Sequence, residues 1–144
     1  MIDYTIEIET EVDELTAAFN LRKEVFVAGQ GVPADLEIDD KEADSFHFLV
    51  EKDDKLIATC RVRIIDNYAK LERMAVKSDY RKQGVGSLLM DKVEEFSKDK
   101  ELEKIKLHAQ VRAKEFYQKN NYKLVNEEEF MEAGIKHVKM EKKL

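Results

Sequence analysis

One cysteine, one proline, no tryptophan and five glycines in 144 residues rule out several kinds of protein at once. Cys60 alone cannot close an internal disulfide, so a disulfide-stapled secreted scaffold is excluded and a cytoplasmic protein is expected. Pro33 is the single proline, and no Ser/Gly-rich linker, low-complexity tract or repeat breaks the chain. One domain over 1–144, long enough to bury a core, is therefore expected. No apolar run approaches the roughly 18 residues of a membrane span. The start, MIDYTIEIET, is acidic and alternating, unlike a signal peptide. Basic stripes are missing too. The 25 Lys and Arg are scattered among 31 Asp and Glu, and the net charge of −6 argues against a nucleic-acid partner. His47, His108 and His137 show no His-x-x-x-His spacing and no nearby Cys, so no metal site is expected. Asp35, Glu37 and Asp39 have EF-hand spacing, but the turn-glycine position holds Asp40 and the twelfth position Phe46.

What remains is a 43% hydrophobic, 39% charged chain with clear periodicities, typical of a globular protein with a highly charged surface. Ile2, Tyr4, Ile6 and Ile8 alternate as a half-buried strand. Val12 to Val27 reads as a helix with Leu15, Phe19 and Phe26 on one face and Arg22 between them, stopped by Gly29, Gly31 and Pro33. Residues 35–44 hold six acids and one lysine. Such a run is a solvated loop or short helix, or else a negative lip that attracts a cationic amine. Ser45–Glu51, Leu56–Ile65 and Ala69–Val76 read as an antiparallel meander joined by polar turns. Cys60, Val62 and Ile64 point one way in it, and Arg61 and Arg63 the other. A strand through Ile105, Leu107 and Ala109 follows, then a helix from Ala113 to Lys119 closed by Asn120-Asn121. Two strands, Tyr122–Val125 and Ile135–Met140, come last, with a short helical piece around Glu127–Met131 between them. The fold class is mixed α/β.

The organising stretch is Lys70–Phe96, which reads as strand, turn, helix. Val85, Leu89, Val93 and Phe96 share one helical face. Ahead of them, Arg81-Lys82-Gln83-Gly84-Val85-Gly86 places two glycines and two cations at a helix start. Glycine leaves backbone N–H groups uncovered, and the first turn of a helix carries unpaired donors and the positive end of the dipole. No acid occurs between Tyr80 and Asp91. This is an anion site suited to phosphate. It lacks the Lys-Ser/Thr of a Walker loop and the third glycine of a dinucleotide fingerprint, since that position is Leu89.

LERMAV followed by RKQGVG resembles the acyl-CoA signature of the GNAT N-acetyltransferase superfamily. Ala113-Lys114-Glu115-Phe116-Tyr117-Gln118-Lys119-Asn120-Asn121-Tyr122 resembles its A-x-x-F-Y-x-x-x-G-F segment, with Asn where the family usually has Gly. VFVAGQGVP, Glu37, Asp39, His47 and AGIKHVKM resemble the small bacterial YjcF-like branch. The resemblance implies a central, mostly antiparallel mixed sheet with helices on both faces. It implies transfer of acetyl from acetyl-CoA to an amine, of a small molecule or of a protein, by direct attack, with a homodimer as a family-level expectation. Arg81, Lys82, Gln83, Gly84, Val85, Gly86 and Ser87 would then grip pyrophosphate. The backbone of Met74, Ala75 and Val76 would hold the thioester carbonyl and the pantetheine arm. Tyr117 becomes the candidate acid for the departing thiolate, against a merely packed tyrosine. Glu72, taken to share a face with Met74, becomes the candidate base, against an ion pair with Arg61, Arg63 or Arg73; a water chain is the other option. Glu37, Asp39, His47 and His137 become acceptor-pocket candidates, whereas a lone strand histidine such as His108 reads as structural. A non-catalytic acyl-CoA sensor is the alternative function.

Overall fold

The computed structural model describes residues 4–144. Ile2, expected in the first strand, lies outside the described residues. Seven strands form one sheet in the order β1-β2-β3-β4-β5-β7-β6. They are β1 Thr5–Glu9, β2 Phe46–Lys52, β3 Lys55–Ile65, β4 Tyr68–Val76, β5 Lys104–Gln110, β6 Lys123–Glu132 and β7 Ile135–Lys143. Every neighbouring pair is antiparallel except β4 and β5, which are parallel. A parallel pair needs a crossover, and the helix α3, Val85–Asp99, supplies it.

The meander follows from its turns. Asp53 and Asp54 both take positive φ (52° and 62°), as a two-residue hairpin turn requires. The main core lies between the sheet and α3. Val85, Leu89, Met90 and Val93 pack on Phe48, Cys60, Val62, Leu71 and Leu107, all 3% exposed or less. The helix α1, Thr16–Arg22, runs into a wider π-turn segment, Lys23–Ala28, on the other face. There Leu21 and Val25 cover Ala75. The wide turn inserts extra backbone after Arg22. The buried stripe is Leu15, Ala18, Leu21, Arg22 and Val25, while Phe19 and Phe26, expected in it, are only half-buried. Gly31, at φ +73°, closes this stretch, and the short helix α2, Ala34–Glu37, follows Pro33.

Two expectations are corrected. The helical piece around Glu127–Met131 is part of β6, whose pairing with β7 slips between Leu124 and Glu129. Ala133 and Gly134, both at positive φ, turn that strand directly into β7. Glu72 and Met74 do not share a face. Arg73 sits at φ +57°, and the β3–β4 register passes from Arg61↔Glu72 to Thr59↔Ala75 across a bulge. One extra residue reverses side-chain parity. Glu72 therefore stays on the α1 face with Arg61 and Arg63, and Met74 crosses to the α3 core.

Candidate active site

The site begins where β4 and β5 part. They pair only over Tyr68–Leu71 and Lys104–Leu107, although β4 continues to Val76 and β5 to Gln110. The gap opens into a cleft of about 1090 Å³. Lys77 N–H donates to Ile57 O on the β3 side, so alternation turns the N–H and C=O of Val76 toward the gap. Met74 stands two residues back on that edge, at the bulge.

At the far end of β4 the chain makes the anion turn. Lys82 (φ 61°) and Gly84 (φ 83°) are left-handed on either side of Gln83. Such alternation curls successive N–H groups into a concave nest. Gly84 caps α3 without a side-chain hydrogen bond, and α3 has no acid in its first turn. The first intrahelical bond is Leu88 N to Gly84 O, which leaves the earlier N–H groups for an anion. Arg81, Lys82, Gly84, Gly86 and Ser87 line the cleft, as do the cations Arg112 and Lys119. Gln83 instead ties the loop shut through Nε2 to Asp79 O (3.0 Å), and Val85 is fully buried in the core. Arg81 reaches back, donating from Nε to Val76 O at 3.0 Å.

The helix α4, Lys114–Lys119, joins the two halves of the cleft. Phe116 lies under the anion turn, where a Cβ on Gly86 would meet its ring at 3.0 and 3.1 Å. A side chain at position 86 would therefore have to displace that ring. Tyr117, the next residue, packs edge-on to Phe116 and Tyr122 and donates from its hydroxyl to Met74 Sδ (3.9 Å). Burial, with a small contribution from nearby Cys60, pushes the phenol well above its ordinary value, so it is protonated at neutral pH.

The acidic run is not a solvated lip. Arg22, 1% exposed, donates to Glu37 Oε1 (2.7 Å), Glu37 O (2.9 Å), Glu42 Oε1 (3.0 Å) and Glu42 Oε2 (2.7 Å). Asp39 receives both Nη atoms of Arg61, at 2.7 and 3.2 Å. Burial would raise Asp39, but the Arg61 fork and the Lys41 N–H outweigh it and hold the carboxyl at about 2. The run straps α1 and α2 onto the sheet. Of the acceptor-pocket candidates, Glu37 and His137 line the cleft. Asp39 does not, and neither does His47, a buried ring bonded through Nε2 to Glu42 O at 2.9 Å. Glu72 lines it with both oxygens engaged. Oε1 accepts from Arg61 and Arg63, and Oε2 from Arg63. Burial opposes its ionisation, but these guanidinium contacts prevail and lower its pKa.

Gln30, His108, Gln110 and Glu132 also line the cleft; the sequence pattern singled out none of them as site residues, His108 reading as structural. His108 and Gln110 occupy the polar positions of an alternating strand beside the cleft-forming one, a signal that was available. Glu132 ends β6, just after the Glu127–Met131 piece expected to be helical. Gln110 Nε2 donates across the cleft to Gln30 Oε1 (2.8 Å), linking β5 to the end of the α1 segment. No helix among the described residues is long and apolar enough to cross a membrane.

Comparison with known proteins agrees with this geometry. Residues 11–144 match the family described as Acetyltransferase (GNAT) domain. The chain is 41% identical to the uncharacterized N-acetyltransferase YjcF of Bacillus subtilis over 130 residues, covering 90% of this chain and 93% of that one. An acyl-CoA N-acyltransferase from Pseudomonas aeruginosa superposes with a TM-score of 0.83 at 27% identity, covering 98% and 99% of the two chains. The PaiA N-acetyltransferase of Thermoplasma acidophilum, solved in complex with coenzyme A, shares the fold at a TM-score of 0.71 and 21% identity, covering 97% and 99%. By fold, cleft and family match, the chain belongs to the GNAT acetyltransferases and is an acyltransferase.

Proposed function

We propose that the protein is an N-acetyltransferase, working as one domain, that moves acetyl from acetyl-CoA to an amine by direct attack. The observation that carries this is the parting of β4 from β5 beside a helix start whose N–H groups and flanking cations are open to an anion. A cleft that joins an unpaired strand edge to a phosphate-type nest suits a ligand with an amide arm and a pyrophosphate, and the PaiA enzyme is solved with such a molecule.

In this reading Arg81, Lys82 and the N–H groups from Gln83 to Ser87 hold the pyrophosphate. The pantetheine arm lies along Val76. Its amide needs Val76 O, so Arg81 leaves that oxygen on binding and turns to phosphate. The N–H of Met74 polarises the thioester carbonyl as negative charge develops on its oxygen. The amine lone pair attacks the carbonyl carbon, the N–C bond forms and the C–S bond breaks. The thiolate takes the proton of Tyr117, which its surroundings keep protonated; the new amide nitrogen sheds one N–H proton to water, and the phenolate takes a proton back from water. Glu72 is a poor proton acceptor at neutral pH, because two guanidinium groups already hold its carboxylate.

The test follows release of CoA thiol from acetyl-CoA across a panel of primary amines, for wild type and Tyr117→Phe. The reading expects turnover by the wild type, and a kcat lowered about 100-fold in the variant with acetyl-CoA affinity retained. Equal kcat in both sinks the acid role. No acetyl-CoA binding by the wild type sinks the reading itself.

A further inference from the structure

Three further groups have no part in the chemistry above. They are His108 on β5, Glu132 on β6 and His137 on β7, and all three line the cleft. Glu132 stands between the two imidazoles. Its Oε1 is 3.2 Å from His108 Nδ1, and its Oε2 is 3.7 Å from His137 Nε2.

The two rings share a tautomer but differ in what their Nε2 atoms meet. Lys70 Nζ lies 3.3 Å from His108 Nε2, and an ammonium only donates. His108 Nε2 is therefore the acceptor, its proton is on Nδ1, and that proton goes to Glu132. Both of its nitrogens are engaged. His137 Nδ1 lies 2.7 Å from Ile135 O, and a carbonyl only accepts. Nδ1 of His137 thus carries a proton, and in that tautomer the lone pair is on Nε2. At 3.7 Å from Glu132 that atom makes no hydrogen bond among the described residues. Phe130 stacks on the ring, with centroids 5.9 Å apart and planes at 28°. The surrounding charges are Glu132 from β6, His108 from β5, Lys70 from β4, and Lys139 of the same strand, whose Nζ lies over Phe130. The β5 residue opposite His137 is the neutral Gln110.

We infer that His137 Nε2 is the proton acceptor for the incoming ammonium, directly or through one water, with Glu132 facing the imidazolium and His108 positioning Glu132. The inference rests on the acetyl-transfer reading. An N–H bond of the ammonium breaks, the proton moves to Nε2, and the electron pair stays on nitrogen to attack the thioester. The imidazolium then forms an ion pair with Glu132 and releases its proton to solvent after transfer. The arrangement follows general-base logic, in which a second group fixes the tautomer and a carboxylate supports the charged form.

The experiment has two arms. Imidazole 15N NMR of the wild type at neutral pH should show His137 protonated at Nδ1 and bare at Nε2; the opposite tautomer overturns the inference. Initial rates of CoA release with acetyl-CoA and n-butylamine are then measured from pH 6 to 9, with acetyl-CoA affinity measured by calorimetry. His137→Gln should lower kcat about 100-fold or more with unchanged acetyl-CoA affinity, and should lose the acid limb of the rate profile. Glu132→Gln should keep that limb but move it to lower pH, because the charged ring has lost its carboxylate. A merely structural role would not move the limb. A wild type that binds acetyl-CoA yet releases CoA no faster than His137→Gln overturns this inference alone. A wild type that does not bind acetyl-CoA overturns the acetyl-transfer reading beneath it.

Discussion

Replacing Arg22 by Met removes a guanidinium that is 1% exposed and donates four hydrogen bonds to Glu37 and Glu42. Met fills similar volume, so the loss is electrostatic rather than a cavity. Two carboxyl groups, 1% and 4% exposed, are left behind. Glu42 keeps Arg61 at 3.1 Å, and Glu37 keeps the longer Arg73 contact at 3.8 Å. Breaking one partner of a buried pair costs about 3–5 kcal/mol. For a chain this long that is a fall of roughly 10–20 °C in Tm. The pH dependence has a definite sign. In the wild type Glu42 is depressed, because Arg22 and Arg61 outweigh its burial, so its contribution is present at neutral pH and lost in acid. Without Arg22, burial acts on the Glu42 carboxyl and favours its protonated form. The stability gap between wild type and variant therefore narrows as pH falls from 7 toward 4. Adding Glu37→Gln and Glu42→Gln should restore much of the loss at pH 7. The assay is urea unfolding at both pH values. A loss below about 1 kcal/mol at pH 7, or a gap that widens in acid, refutes the reasoning.

Other outcomes follow from the same structure. Gly86→Ala drives a Cβ against Phe116 at 3.0 Å. It should cost about 1–3 kcal/mol of stability and raise KM for acetyl-CoA through the shifted α4, whereas unchanged Tm and KM would contradict that packing. Asp39, held at about 2, contributes stability in full above its unfolded value near 4 and loses it as pH falls toward about 2. Asp39→Asn should flatten the acid limb of a stability–pH curve in that window, and an unaltered limb would argue against the Arg61 pair.

Much of this fold can be read from side-chain period and turn chemistry. The meander, the anion turn, α3 and the Phe116-Tyr117 helix all carry local signals. What the sequence concealed came from single-residue shifts and long-range pairing. A bulge at Arg73 leaves no mark beyond one positive φ on an ordinary residue, yet it sends Glu72 and Met74 to opposite faces. The acidic run looks solvated because its cations, Arg22 and Arg61, come from other elements. His108 and Glu132 meet only because β5, β7 and β6 stack side by side.

The most direct test of the central claim is calorimetric titration of acetyl-CoA, and of S-acetyl-pantetheine, into the wild type and an Arg81→Ala, Gly84→Ala double variant. Gly84 has open space around it, so alanine there strains the left-handed turn without a clash. The account predicts that the wild type binds acetyl-CoA far more tightly than the phosphate-free compound. It predicts that the double variant loses about 10- to 100-fold of the acetyl-CoA affinity alone, as expected for charge-assisted bonds to phosphate. A wild type that does not distinguish the two ligands, or a variant that binds acetyl-CoA as well as the wild type, contradicts it.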